Sequence, residues 1–311
     1  MKVLITGANG FVGLPLTRLA ASRCEVVALV SPRANTAHLD AIAPKVTLVH
    51  GDLTDDETIE RLARTRPDAC IHAAWYTNAS DYLDSPRNVD SLTATLRLAL
   101  RLGAAGCRRF VGVGTCLEYD TAGAVPLTES SPLEPGRLYS ACKVGAWHAL
   151  RQVGRLTNMA VAWARLFYLY GPREDSRRFV PSVVGALLEG REAAVSPGGQ
   201  VRDFLYVEDA AAALWAVASS SVQGAVNVGS GEPVTVAHIA RTLGMIVDRQ
   251  RLVKLGALPY RPGDPMSICA DVRRLTEECA WKPQSSLEAG LRHTVAWWRE
   301  QSTQPLRAGN K

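Results

Sequence analysis

Tyr139 and Lys143 are four residues apart in the segment YSACK. On a helix that spacing puts both side chains on one face, one turn from each other. A free phenol has a pKa of about 10, and a neighbouring ammonium stabilises the phenolate. The pair therefore has the form of a tyrosine brought towards the working range of a general acid or base. It equally describes a surface tyrosine beside a solvated lysine. What precedes it adds weight to the first reading. A strand-like run ends in Gly112-Val113-Gly114-Thr115, which predicts Thr115 at the carboxyl edge of a sheet, where open α/β folds bind ligands. There its hydroxyl would polarise the carbonyl that the tyrosine protonates. Taken alone, Thr115 reads as a helix or turn cap.

A second constellation opens the chain. Gly7, Gly10 and Gly13 in TGANGFVG follow a predicted strand and begin a predicted helix. Glycines there let the backbone turn tightly and approach a pyrophosphate, whose charge then meets the unsatisfied N–H groups of the helix N-terminus. A glycine-rich turn without a ligand is the plain alternative. Pro15 fits this helix only inside its first turn. At the end of the second strand, Val30-Ser31, no acid stands ready for a ribose 2′-hydroxyl. Arg33, two residues on, would instead pair with a 2′-phosphate, which favours NADP over NAD. Arg33 can equally be a solvated loop residue. Asp52 in HGDLTD follows the third strand and would accept from an adenine amine, or else cap the next helix.

These residues need a scaffold, and the pattern supplies one. Short β-branched runs at 2–6, 25–30, 46–50, Ala69–Ala73, Arg109–Gly114 and Val161–Phe167 alternate with helical patterns from the glycine loop to about Arg23 and over Asp56–Thr65, Asn88–Leu102 and Tyr139–Leu156. This is the βαβ rhythm of a parallel sheet. The expected class is α/β, a Rossmann-type doubly wound parallel sheet over residues 1–170, with further elements contributed from about 200–230. After Gly171-Pro172 the pattern changes to isolated helices and turn signals, so 171–300 is expected to be mainly a smaller C-terminal substrate-binding lobe, and 301–311 a flexible tail.

Composition narrows the partners. The net charge of +5 comes from interleaved acids and bases, not from a basic run that tracks a phosphate backbone, so nucleic acid is not expected. No membrane-length apolar stretch and no leader pattern are present, and the seven cysteines form no C-x-x-C pair. Reduced thiols in the cytoplasm are expected. Six scattered histidines predict no metal site.

Together the motifs resemble the extended short-chain dehydrogenase/reductase family, in its nucleotide-sugar epimerase/dehydratase/reductase branch. TGANGFVG is similar to that family's cofactor loop, GDLTD to its adenine contact, IHAAW to its fourth-strand motif and Asn88 to the asparagine that opens its long helix. Thr115, Tyr139 and Lys143 match its catalytic set, and RLFYLYGP, VRDFLYVEDAA and RPGDP resemble its later motifs. The resemblance covers about Met1 to Trp298. It implies a dinucleotide site built from Gly7, Asn9, Gly10, Phe11, Val12, Asp52, Leu53, Ala73, Ala74, Tyr139, Lys143 and Leu166, with Arg33 added from its position. A nucleotide-diphosphate sugar would meet Thr115, Cys116, Leu117, Tyr168, Arg178, Arg202 and Arg261, with Arg202 and Arg261 as guanidinium forks for the diphosphate.

Departures from the family pattern bear on the reaction. Relatives that eliminate water or carbon dioxide resemble one another in carrying an acid two places after the catalytic Thr or Ser. Here that place is Leu117, and Glu118, one later, would point to the opposite face of an extended segment. GTCLEYD is similar to the corresponding segment of GDP-6-deoxy-hexose 4-ketoreductases. Tyr168 stands where the family usually has Asn. The expected activity is an NAD(P)H-dependent ketoreductase acting on a nucleotide-linked keto-deoxysugar at C4. The alternatives are an epimerase with retained NAD and a non-catalytic dinucleotide sensor. The helices over Asn88–Leu102 and Tyr139–Leu156 carry apolar residues on more than one face, which predicts a homodimer, with Trp147 and Leu150 as candidates for its surface or for the monomer core.

Overall fold

The computed structural model describes residues 1–122 and 126–303. Its first half alternates strands β1 (Lys2–Thr6), β2 (Glu25–Val30), β3 (Val46–His50), β4 (Ala69–His72), β5 (Arg109–Thr115) and β6 (Ala160–Leu166) with helices. These are α1 (Gly13–Ala21), α2 (Asp56–Arg64), α3 (Arg87–Ala104) and α4 (Leu138–Thr157). The strands are short β-branched or alanine-rich runs, and β1, β2, β4 and β6 are buried almost throughout, as a sheet covered on both faces requires, whereas β3 at the edge is mostly half-buried or exposed. Beyond them come β7 (Tyr168–Tyr170), α5 (Phe179–Leu188), β8 (Ala193–Val195), β9 (Val201–Tyr206), α6 (Val207–Ser219) and β10 (Gly224–Val228). The chain then continues through β11 (Pro233–Thr235), α7 (Val236–Val247), β12 (Val253–Leu255), β13 (Ser267–Ile268), α8 (Arg273–Glu278) and α9 (Leu287–Thr303).

Seven strands form one sheet in the order β3-β2-β1-β4-β5-β6-β10, and every pairing is parallel. The order reverses between β1 and β4, so a crevice opens at their carboxyl ends. Thr6 lies opposite His72, His72 opposite Gly112, and Thr115 opposite Leu166. Three loops with chemistry-bearing residues thus leave the same edge. Because strand side chains alternate in direction, Val3, Ile5 and Ala28 pack against α1 and α6 on one face. Leu4, Val27 and Phe110 pack against α2, α3 and α4 on the other.

Pro15 is the third residue of α1, where its missing N–H is one the helix could not have bonded internally. Asp55, not Asp52, caps α2, accepting from Glu57 N and Thr58 N at 3.2 and 3.1 Å. Asp52 instead closes a local turn by accepting from Thr54 N at 2.9 Å.

The chain past residue 170 serves two bodies. Helix α6 and β10 return to the central sheet. The remainder gathers β9 with β7, β11 and β13, pairs β8 with β12, and packs α5, α7 and α9 around Tyr170, Phe204 and Tyr206. Helix α9 runs on to Thr303, so Gln301–Thr303, expected in the flexible tail, are helical. The rest of that expected tail, 304–311, lies outside the described residues.

Trp147 and Leu150 are corrected as surface candidates. Leu150 is 0% and Trp147 7% exposed, and Trp147 stacks on Trp163 of β6 at 6.2 Å between centroids. Both face the sheet. The exposed large apolar residues of α3 and α4 are Val89, Leu100 and Leu156.

Candidate active site

At the end of β5 the backbone turns through a short 3-10 helix, Cys116–Glu118, rather than continuing extended. Thr115 caps it: its Oγ accepts from Leu117 N at 3.3 Å. Glu118 reaches back, its Oε1 accepting from Thr115 N at 2.9 Å. The Glu118 carboxylate is fully buried and saturated, receiving Trp163 Nε1–H and Arg165 Nε–H, the latter at 2.7 Å. Glu118 therefore points away from the cleft, as expected, although through a helical turn rather than through strand alternation. Its place is beneath Thr115, which it holds still.

Tyr139 and Lys143 occupy the first two turns of α4, both buried. Burial, with Tyr82 and Glu118 nearby, holds the Tyr139 phenol's pKa well above the ordinary phenol range, against a small pull down from the neighbouring Thr115 hydroxyl. The expected lowering by Lys143 is not found. The ammonium instead donates to Val113 O at 2.6 Å and lies 3.7 Å from the centre of the Trp75 ring, against 5.8 Å from that of Tyr139. Burial brings the pKa of Lys143 itself down to about 7, opposed by the Glu118 charge.

The segment between β4 and α3, not singled out by any motif beyond IHAAW, forms a wall of this site. Asn88 ties it down: its Nδ2 donates to Tyr82 O and Ser85 O at 2.6 and 2.9 Å, and its Oδ1 accepts from Trp75 Nε1 at 2.9 Å. Leu83 O accepts from Tyr139 N at 2.9 Å, and Asp84 pairs with Arg137. Tyr82 thereby stands edge-on to Tyr139, with ring centroids 5.0 Å apart. Arg178 covers the other side, 4.5 Å over the Tyr82 ring, and donates to its hydroxyl at 3.2 Å. Aromatic residues in a polar loop give no periodic signal, so Tyr82 was not visible in the sequence.

The glycine loop backs onto the end of β4. Gly7 has φ +68°, and a side chain there would press on the Ala74 backbone. At Gly13 a Cβ would overlap the Gly7 carbonyl oxygen. Ala74 N donates to Thr6 Oγ1 at 3.1 Å, which also meets His72 Nδ1 at 2.8 Å, while His72 Nε2 meets Thr95 Oγ1 at 2.8 Å. Burial and the Lys143 charge drive that imidazole's pKa down to about 3, so it is neutral scaffold. The bare backbone of residues 7–13, set at the first turn of α1 and floored by Ala73 and Ala74, is a cradle that fits a dinucleotide pyrophosphate. Asn9, Phe11 and Val12 belong to this loop, and Leu53 is buried after β3. Arg33 and Asp52 are exposed at the ends of β2 and β3. Leu166 ends β6 beside Thr115.

Opposite, Tyr168 begins β7. Burial, with Cys116 and Tyr82 close by, raises its pKa above the phenol range. Arg202 lies 5.2 Å over its ring and pairs with Asp264 at 2.9 Å. Arg261 is exposed three residues before Asp264. The arrangement brings a hydroxyl pair, a buried lysine and two guanidiniums to one cleft, with Leu117 the residue beside Thr115 that lacks a polar group.

The model of the NAD dependent epimerase/dehydratase family matches residues 3–229, and the chain belongs to that family. It is 29% identical to a UDP-glucose 4-epimerase of Mycolicibacterium smegmatis, over 97% of this chain and 100% of that one. It is 27% identical to a dTDP-glucose 4,6-dehydratase of Shigella flexneri, over 96% and 92%. Among solved structures, the dTDP-glucose 4,6-dehydratase of Streptomyces venezuelae with NAD bound superposes with a TM-score of 0.87 at 27% identity, covering 96% of this chain and 97% of that one. The Thermus thermophilus UDP-glucose 4-epimerase in complex with NAD gives 0.84 at 26%, covering 96% and 99%. This is an enzyme family of nucleotide sugars, on a Rossmann-like sheet, and no helix of the described residues is long and apolar enough to cross a membrane.

One acid near Arg178 is out of its usual state. Glu174 follows Arg173, whose φ of +69° is left-handed. Its Oε2 is buried with no hydrogen-bond partner among the described residues, and burial raises its pKa from 4.5 to about 8, against the pull of Arg178. Between those values the folded chain keeps a proton that the unfolded chain releases. Stability from this group therefore falls as pH rises, by about 1.4 kcal/mol per unit. Glu174→Gln removes the titration. In unfolding measurements from about pH 5 to about pH 8, the variant should gain steadily on the wild type. Parallel stability curves would show that Glu174 is ionised in the fold.

Proposed function

We propose that the chain is an NAD(P)H-dependent ketoreductase that reduces a keto-deoxysugar linked to a nucleotide diphosphate, at C4. The observation that carries this reading is the absence of an acid beside Thr115. Leu117 takes the place where eliminating relatives need one, and the Glu118 carboxylate is spent on Arg165, Trp163 and the Thr115 N–H. What remains is a site for proton delivery to one carbonyl. When bound, the dinucleotide supplies the hydride. Thr115 hydrogen-bonds the keto oxygen, and Tyr139 gives it a proton, which a phenol held above its ordinary pKa retains until an alkoxide develops. Lys143, one turn from the phenol, is placed to serve the nicotinamide ribose. Arg202 and Arg178 face the diphosphate sugar, with Arg261 reaching in from its exposed loop.

An epimerase with retained NAD uses the same three residues and is the second reading, supported by the epimerases among the relatives. Arg33, at a strand end without an acid, supports an exchangeable NADPH instead. Free thiols at all seven cysteines fit a reducing cytoplasm. A sensor without catalysis has no need of the Thr115–Tyr139 pair.

The reading is tested by turnover of 4-keto and 3-keto nucleotide sugars with NADPH or NADH. Steady consumption of NADPH with a 4-keto substrate is expected, and Tyr139→Phe should lower it by about 100-fold or more. A protein that purifies with NAD and consumes no added coenzyme would establish the epimerase. Arg33→Ala should weaken NADPH more than NADH, so the dissociation constant of NADPH rises relative to that of NADH; an unchanged ratio removes Arg33 from coenzyme choice. A homodimer through α3 and α4 is part of the proposal, with Val89, Leu100 and Leu156 as its exposed apolar residues. Leu100→Asp should yield a monomer by sedimentation, since a charge would be desolvated at the interface. A wild type already monomeric at micromolar concentration rules the dimer out.

A further inference from the structure

Lys143 is a buried cation without a contacting counter-ion: among the described residues, no carboxylate lies within ion-pair distance of it. The titratable groups around it are Glu118 from the turn after β5, His72 from β4 and Tyr139 from its own helix. Glu118 is already paired with Arg165 at 2.7 Å. His72 is neutral between Thr6 and Thr95. What surrounds the ammonium is instead aromatic: Trp75 at 3.7 Å from the ring centre, and Tyr139 and Trp163 both at 5.8 Å. The negative face of a ring attracts a cation, and the attraction grows where water is excluded. Of the three rings, Trp75 is the one at contact distance. It is also oriented: its Nε1–H is fixed by Asn88, and its edge meets Tyr139 at 6.5 Å between centroids.

We propose that Trp75 is a positioning residue of this site, whose indole face holds the Lys143 ammonium charged and aimed at the cleft in place of a carboxylate. A carboxylate at that spot would bind the ammonium more tightly, but it would also draw it out of reach of a neighbouring ligand and place a negative charge beside the phenol. An aromatic face does neither. The ammonium stays bound to Val113 O through one donor and to the ring through its charge, with donors left for a ligand. The proposal rests on the reading of Lys143 as part of the reaction centre.

The test is an NMR titration of the full chain through its lysine 13Cε signals, with the Lys143 signal identified by its loss in Lys143→Arg. Trp75→Phe keeps an aromatic face and should leave the Lys143 midpoint near that of the wild type. Trp75→Leu removes the face and should lower the midpoint by about one unit, the size of a desolvated cation–π contact. Trp75→Met, an adaptable filler, serves if the leucine variant does not fold. The basic limb of the pH dependence of NADPH turnover should move with the midpoint in each variant. A midpoint unchanged or raised in both aliphatic variants overturns the role of Trp75. If the midpoint falls yet Lys143→Ala still turns over at the wild-type rate, the reading of the reaction centre fails while the Trp75–Lys143 contact stands.

Discussion

The buried pair of Glu118 and Arg165 is the contact on which the rest of the site depends. Arg165 comes from β6, Glu118 from the turn after β5, and their side chains are 1% and 0% exposed. Such a pair adds little net stability over apolar residues of the same volume, but breaking it leaves a buried charge and costs about 3–5 kcal/mol. Its value is geometric. Glu118 fixes Thr115 through the backbone N–H, and Arg165 passes the connection on to Tyr119, whose hydroxyl donates to Asn227 of β10 at 2.6 Å. Asn227 in turn donates to Leu127 O and Asp271 O. One ion pair thus registers the edge of the sheet, Thr115 at the end of β5 and the segment that leads into α8.

Dehydration does the electrostatic work around that frame. Burial drives Lys143 down to about 7 and His72 to about 3, and pushes Tyr139 and Glu174 up. All four move towards neutrality, the direction a low dielectric imposes. The phenol is therefore held protonated, and the lysine sits close to its own titration at neutral pH. A site in this condition responds strongly to any charge that enters, because little water is present to screen it.

Much of this was legible in the sequence, for reasons that differ between elements. The six strands of the first half matched because buried parallel strands are continuous apolar runs bounded by turns, a pattern that survives without knowledge of neighbours. Helix α4 and the Tyr139–Lys143 spacing followed from period alone. The alternatives that stayed open were those where the partner decides. Asp52 and Asp55 are equally good caps in HGDLTDD, and only the backbone angles choose Asp55. Trp147 and Leu150 are apolar on an amphipathic helix, and only the packing on Trp163 turns them inward. Tyr82 and Glu174 lie in polar loops, where burial comes from segments distant in sequence, and neither composition nor spacing announces it.

The turn after β5 separates two neighbouring positions on this frame. In a 3-10 turn, residues three apart eclipse each other, so Glu118 lies under Thr115 while Leu117, half-buried, packs against the small apolar cluster that includes Phe167 and Ile268. An acid at 118 is drawn inward by Arg165 and becomes structure, whereas one at 117 would lie outside that pair. The two positions are not interchangeable, although they are adjacent. On the proposed reading, a carboxylate shifted by one residue would be a small change to the fold and a large change to the protons the site can move. The frame is shared over nearly the whole chain with both a dehydratase and an epimerase, so selection among reactions falls to such single positions and not to the architecture.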